Sequence, residues 1–168
     1  QGNIVDLLYA PLSAAEITLS MSLAAVTRSF MIAGISILVF YLIIDIQIKH
    51  FFILILFTFL SSFILGNLGI IAGLWAEKFD HMASVTNFLI VPLSFLSGTF
   101  YTTDKLPGFL QIISKANPFF YMIDGFRYSF IGNADGSIKI GIIYLTILSI
   151  LSWLASYLLF KRGYKIKS

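Results

Sequence analysis

Asp124 and Arg127 lie three residues apart in the aromatic stretch PFFYMIDGFRYSFI, a spacing that sets a carboxylate and a guanidinium on one helix face. Paired there, they lower the cost of keeping two charges near lipid; otherwise they offer a contact to a polar headgroup of a substrate. Arg28, flanked by Thr27 and Ser29, stands inside a long apolar run. A bare arginine at mid-bilayer costs about 2.5–3.5 kcal/mol on insertion scales, so this side chain either snorkels to the inner headgroups or faces a transport path. Asn67 and Asn87 fall in separate apolar runs, where they could hydrogen-bond across a helix interface for about 1 kcal/mol or line a path. No constellation for covalent or metal chemistry joins them. The chain has no cysteine, and its two histidines, His50 and His81, lie between apolar runs and not within them. The glycines from Gly66 to Gly73 have no following lysine and make no phosphate loop, and neither H-E-x-x-H nor G-x-S-x-G occurs. The chain is not expected to be an enzyme or to bind a cofactor, and any chemical energy it uses must come from a partner or a gradient.

The elements that position these residues follow from composition. Hydrophobic residues make up 58% and charged residues 11% of the 168, with a mean hydropathy of +0.93, against roughly 25% charged in a soluble domain. The expected fold is all-α, a single polytopic membrane helix bundle over 1–168. Spans are expected at 20–44, 51–75, 83–101 and 140–160, since about 20 apolar residues cross a bilayer. Ser13 and Glu16 have the S-x-x-E spacing of a capping box, and the helix they open runs unbroken to about Ile44. That length exceeds the hydrocarbon, so its first turns should protrude, and residues 1–16, with Pro11 as the bend, form a cytoplasmic elbow. Ser62, Gly66, Gly69 and Gly73 give small-xxx-small spacings that should press the second span against a neighbour. Pro92 should bend the third span or loosen its ladder.

Between the third and fourth spans, residues 104–131 read as two short helices. Asp104 with Pro107, and Asn117 with Pro118, each pair a side-chain acceptor with a proline whose missing N–H costs nothing in a first helical turn. The helices, about 106–115 and 118–131, are too short to span and too aromatic to float free, which suggests a re-entrant hairpin at the outer boundary. In the second, Phe119, Ile123, Phe126 and Phe130 mark a greasy face, whereas Tyr121, Asp124 and Tyr128 mark a polar one. Lys161, Arg162, Lys165 and Lys167 make 161–168 a basic tail and place the C-terminus in the cytoplasm. The net charge of +3 is read as topology and not as nucleic-acid binding.

The run LIVPLSFLSGTFYTTDKLPGFLQIISKANPFFYMIDGFRYSFIG closely resembles the C-terminal signature of type-2 ABC exporter permeases. Leu106 and Pro107, then Asn117, Pro118 and Tyr121, and Arg127 occupy the family's Leu-Pro, Asn-Pro-x-x-Tyr and downstream arginine positions. The opening DLLYAPLSAAE is similar to the family's cytoplasmic loop. The resemblance implies the membrane subunit of an ATP-driven exporter in a bacterial inner membrane, working as a homodimer among membrane lipids. ATP and Mg would sit on partner ATPase subunits, and two further helices would precede Gln1. It makes Asp6, Leu7, Leu8, Tyr9, Pro11, Ser13 and Glu16 the coupling contact to the ATPase. Pro107, Asn117, Pro118, Tyr121, Asp124 and Arg127 become an outer gate, and the cargo a lipid-linked glycan, lipid or amphipathic drug. A gradient-driven transporter or channel fragment is the alternative, and it would favour an ionisable residue at mid-depth, a place for which Arg28 alone qualifies. A non-transporting scaffold would need neither elbow nor hairpin.

Overall fold

The computed structural model describes residues 12–44, 46–76, 78–99 and 107–162, and among these residues every regular element is helical. Asp6, Leu7, Leu8, Tyr9 and Pro11 of the expected elbow lie outside them, as does Asp104. Helix α1, Ala14–Ile44, begins where the sequence predicts. The Ser13 N–H and hydroxyl both donate to Glu16 Oε2 at 2.7 Å, and the Glu16 N–H returns to Ser13 Oγ at 3.3 Å, so the capping box closes. At 1.5 Å per residue α1 is about 46 Å long, well beyond a hydrocarbon layer of about 30 Å.

Helix α2, Phe51–Trp75, is the axis of the bundle, packed on α1, on α6 (Pro118–Ile131) and on α7 (Ile138–Lys161). Its buried Phe57, Leu60 and Ile64 meet Met122 of α6 and Leu145 of α7. Gly125 explains how α6 comes so near: Phe57, fully buried, lies where a Cβ at Gly125 would project. Gly66 plays the same part against Ala25 of α1, where an added Cβ would approach to 2.8 Å. Gly69 and Gly73 meet nothing within 4 Å, so only the first half of the small-residue face is used within this chain. About half of the buried residues are serine, threonine and asparagine, while the C-terminal half of α1 bares Ile35, Leu38, Phe40, Leu42 and Ile43. Such an interior and such an exterior suit a lipid solvent, in which apolar surface needs no hiding and small polar residues hold helices together.

Among the described residues three helices, α1, α2 and α7, are long and apolar enough to cross a membrane. The expected span at 83–101 is a shorter, irregular rod. It runs as α3 (Phe79–Val85), a π turn (Thr86–Ile90) and α4 (Val91–Phe95), and ends in a turn through Leu96 and Gly98, whose φ is 79°. Pro92 accounts for the irregularity. It has no N–H for the Phe88 carbonyl, and the ladder just upstream widens so that the Val91 N–H donates to Thr86 O. The rod touches the bundle at its two ends, α3 on α2 and α4 on α6, leaving an apolar groove of about 460 Å³ between Leu65, Leu68 and Ala72 on one side and Leu89 and Ile90 on the other. Helix α5, Gly108–Ala116, follows Pro107 and packs on α6.

Candidate functional site

The hairpin of α5 and α6 is held by side chains that answer the unpaired carbonyls at helix ends. Helix α4 stops at Phe95, so its last carbonyls lack α-helical partners. Asn117 Nδ2 donates to Leu93 O at 2.6 Å, Ser114 Oγ to Leu96 O at 2.9 Å, and Arg127 Nη2 to Gly98 O at 2.6 Å. The other end of the Asn117 amide accepts from the Phe119 N–H at 3.0 Å, and Pro118 fills the first position of α6. Asn117 thus starts one helix and finishes another, which explains why it is buried.

The far end of α6 is closed from the opposite side. Gly132, at φ 82°, gives the left-handed stop, and the N–H groups of Lys49 and His50 both donate to Ser129 O at 2.9 and 3.0 Å. Lys49 Nζ reaches Ile131 O at 2.6 Å, a cation at a helix C-terminus where the dipole favours one. The His50 ring stacks on Tyr128 with centroids 4.7 Å apart. The α1–α2 connection is therefore fastened to the hairpin.

Asp124 and Arg127 act on this same region, but not on each other. Arg127 Nη1 pairs with Asp135 Oδ2 at 2.7 Å, both side chains being about four-fifths covered. Asp124, 3% exposed, accepts the N–H of Asp135 at 2.7 Å and of Gly136 at 2.9 Å, one on each carboxylate oxygen. The expected intrahelical pair is corrected: a turn just beyond α6 supplies a nearer acid to Arg127 and two backbone donors to Asp124. Burial on α6 follows neither face of the sequence pattern: Asp124 is buried with Phe120, Met122, Gly125 and Ser129, and Phe126 and Phe130 are only half-covered. Tyr121 sits half-buried between Phe120 and Tyr144, each ring 5.1 Å away, and Tyr144 Oη donates to Ala116 O at 2.8 Å.

Asn67 is fully buried at the point where three helices meet. Its Oδ1 accepts from Ser22 of α1 at 3.1 Å, its Nδ2 donates to Phe63 O at 2.8 Å, and its backbone carbonyl accepts from Ser156 of α7 at 3.2 Å. A bond to Asn87 does not form, for Asn87 is exposed on the π turn. Arg28 lines a groove of about 670 Å³ between α1 and α2 together with Ser29, Ser61 and Ser62. Ser61 is buried, and its Oγ has no hydrogen-bond partner among the described residues.

Sequence reasoning found Asn117, Asp124, Arg127 and Asn67 but missed their partners Ser22, Asp135 and Ser156, and with them the helix-end contacts of Lys49 and Ser114. For the serines a signal was present: Thr18 with Ser22, and Ser149, Ser152 and Ser156, recur at helical spacing in otherwise apolar runs. Among the described residues no group of acidic residues and histidines could hold a metal ion.

The profile of the ABC-2 type transporter membrane family matches residues 1–131. The chain is 29% identical over its whole length to the inner membrane transport permease YadH of Escherichia coli K12, of which it covers 66%. It is 28% identical over 97 residues to nodulation protein J of Rhizobium leguminosarum bv. viciae, covering 58% of this chain and 38% of that one. It thus spans a little under two thirds of the length of the first of these relatives. No solved structure matches it. With the family's profile running through the apolar helices and the hairpin to the end of α6, this chain belongs to the ABC-2 type transporter membrane family.

Proposed function

We propose that the chain is the greater part of a permease subunit of an ATP-driven exporter, multi-pass in a bacterial inner membrane with its C-terminus in the cytoplasm. The observation that carries this reading is the family match across α1, α2 and the hairpin, together with three helices of membrane length. The similarity to an inner membrane transport permease supports the location. Nucleotide and Mg belong on partner ABC ATPase subunits. A second copy of the permease completes the path, and the irregular rod of α3, the π turn and α4 supplies a fourth crossing.

In this reading residues 1–16 are the contact to the ATPase, with Asp6, Leu7, Leu8, Tyr9 and Pro11 at its centre and the Ser13–Glu16 box joining it to α1. An unbroken helix transmits displacement where a kinked one absorbs it, and α1 has no proline and no interruption over 31 residues. The α2 axis passes that displacement to α6 through Phe57 against Gly125. The hairpin acts as the outer gate at the membrane boundary, and the cargo is a lipid-linked glycan, a lipid or an amphipathic drug.

The test is co-purification of the full-length permease with its ATPase. Leu7→Asp with Leu8→Asp is expected to cut recovery of the ATPase at least tenfold, with the permease still inserted. Undiminished recovery would remove the coupling role. Labelling that puts the Asp6 segment and the basic tail on opposite sides of the bilayer would refute the topology.

A further inference from the structure

We propose that the groove between α1 and α2 binds an amphiphile by its anionic headgroup, with Arg28 and Ser61 as the headgroup ligands. This names a ligand class for the permease and rests on the proposed function in that α1 and α2 cross the membrane with the start of α1 at the cytoplasmic side. Arg28 has no ion-pair partner among the described residues, although it lies midway along a helix of membrane length. An uncompensated guanidinium there calls for an anion. Ser61 supplies the independent observation: its hydroxyl is buried, lines the same groove and has no hydrogen-bond partner among the described residues. Most other buried hydroxyls of the spans are answered within their own helix. Thr58 Oγ1 donates to Leu54 O and Ser149 Oγ to Leu145 O, the ordinary bond to the preceding turn. A buried donor left idle is destabilising unless something fills the groove and accepts from it.

The neighbouring surface says what is attached to the anion. A second groove, about 290 Å³, shares Ala33 and Phe126 with the first and is lined otherwise by Ile37, Phe40, Leu54 and Phe130, with Ser36 and Ile46. From Arg28 to Phe40 is about 18 Å along α1, on the order of a lipid chain. Polar head and apolar tail sites therefore follow one another along a single helix. With the start of α1 at the cytoplasmic side, the headgroup faces that side and the chain points toward the bilayer centre, the posture of an inner-leaflet lipid. Ser29 and Ser62 stand beside Arg28 as further donors to the headgroup oxygens.

The full-length permease in detergent would be titrated with phosphatidylglycerol, with phosphatidylcholine of the same chains, and with inorganic phosphate, and bound lipid counted by native mass spectrometry. Phosphatidylglycerol is expected to bind at least tenfold tighter than phosphatidylcholine. Arg28→Gln should remove that preference, Arg28→Lys retain most of it, and Ser61→Ala weaken binding three- to tenfold. Arg162→Gln, at the exposed end of α7, should change nothing. A silent Ser61→Ala, or equal losses for Arg28→Gln and Arg162→Gln, would overturn the site, since a snorkelling arginine needs no serine and acts only as general surface charge. Displacement of the lipid by inorganic phosphate at equal concentration would overturn the assignment to an amphiphile. Should Ser61→Ala fail to fold, Ser61→Cys provides a second measurement in a chain that has no cysteine of its own, any cysteine elsewhere in the full-length protein being replaced. Phosphatidylglycerol should slow its alkylation several-fold relative to phosphatidylcholine, and equal rates would refute occupancy.

Discussion

Replacing Arg127 by glutamine, with Asp135 replaced by asparagine in a double-mutant cycle, tests how the hairpin is held. Arg127 makes one charge-assisted bond to Asp135 and another to the Gly98 carbonyl, at 2.7 and 2.6 Å, from a side chain 23% exposed. Charged hydrogen bonds contribute about 1.5–3 kcal/mol each, so losing both should make Arg127→Gln cost about 3–5 kcal/mol. Asp135→Asn keeps an acceptor but not the charge and should cost about 1–2 kcal/mol. Their coupling is then about 1–2 kcal/mol, read from thermal unfolding of the full-length permease in detergent, provided the transition is reversible. Exchanging the residues at 124 and 127 should be worse than either single change, because each would face the wrong partners. A coupling within about 0.3 kcal/mol of zero, or an exchange variant as stable as the parent, would refute the arrangement.

Other consequences can be checked in the same preparation. Gly125→Ala should lower stability by about 1–3 kcal/mol, despite a better helix propensity, because its methyl enters the Phe57 ring; Phe57→Leu added to it should recover part of that loss, and no recovery would mean the strain lies elsewhere. Asn67→Ala should cost about 1 kcal/mol by cutting the bond from Ser22 while the backbone bond from Ser156 persists; a loss above about 3 kcal/mol would point to a role beyond packing. Pro92→Ala should restore an α ladder through the π turn and slow amide exchange at Val91 and its neighbours, and unchanged exchange there would clear the proline of blame.

Much of the fold was legible because apolar run length and end signals are local. The bounds 51–75 and 118–131 are those observed, and the Ser13–Glu16 box and the Asn117–Pro118 start both form. What was not legible is what depends on a third element. The Asp124–Arg127 spacing fits an intrahelical pair, but spacing cannot report that a turn at Asp135 and Gly136 folds back over the same face. Hydrophobic periodicity likewise does not say which residues of α6 pack inward, where Gly125 is buried because Phe57 needs the room. The end of the third predicted span was placed too late for a similar reason. Apolar residues continue past Phe95, yet the backbone turns at Leu96 and Gly98 toward donors that lie in α5 and α6.

Three carbonyls near the close of the irregular rod are committed to Asn117, Ser114 and Arg127. Prying the hairpin from that rod would mean breaking all three together. Any stroke arriving at the hairpin is therefore expected to carry the rod along as cargo on the same sled. Compliance is expected where the backbone ladder is already out of step, at Thr86–Ile90, the seam that separates α3 from the part of the rod bound to the hairpin.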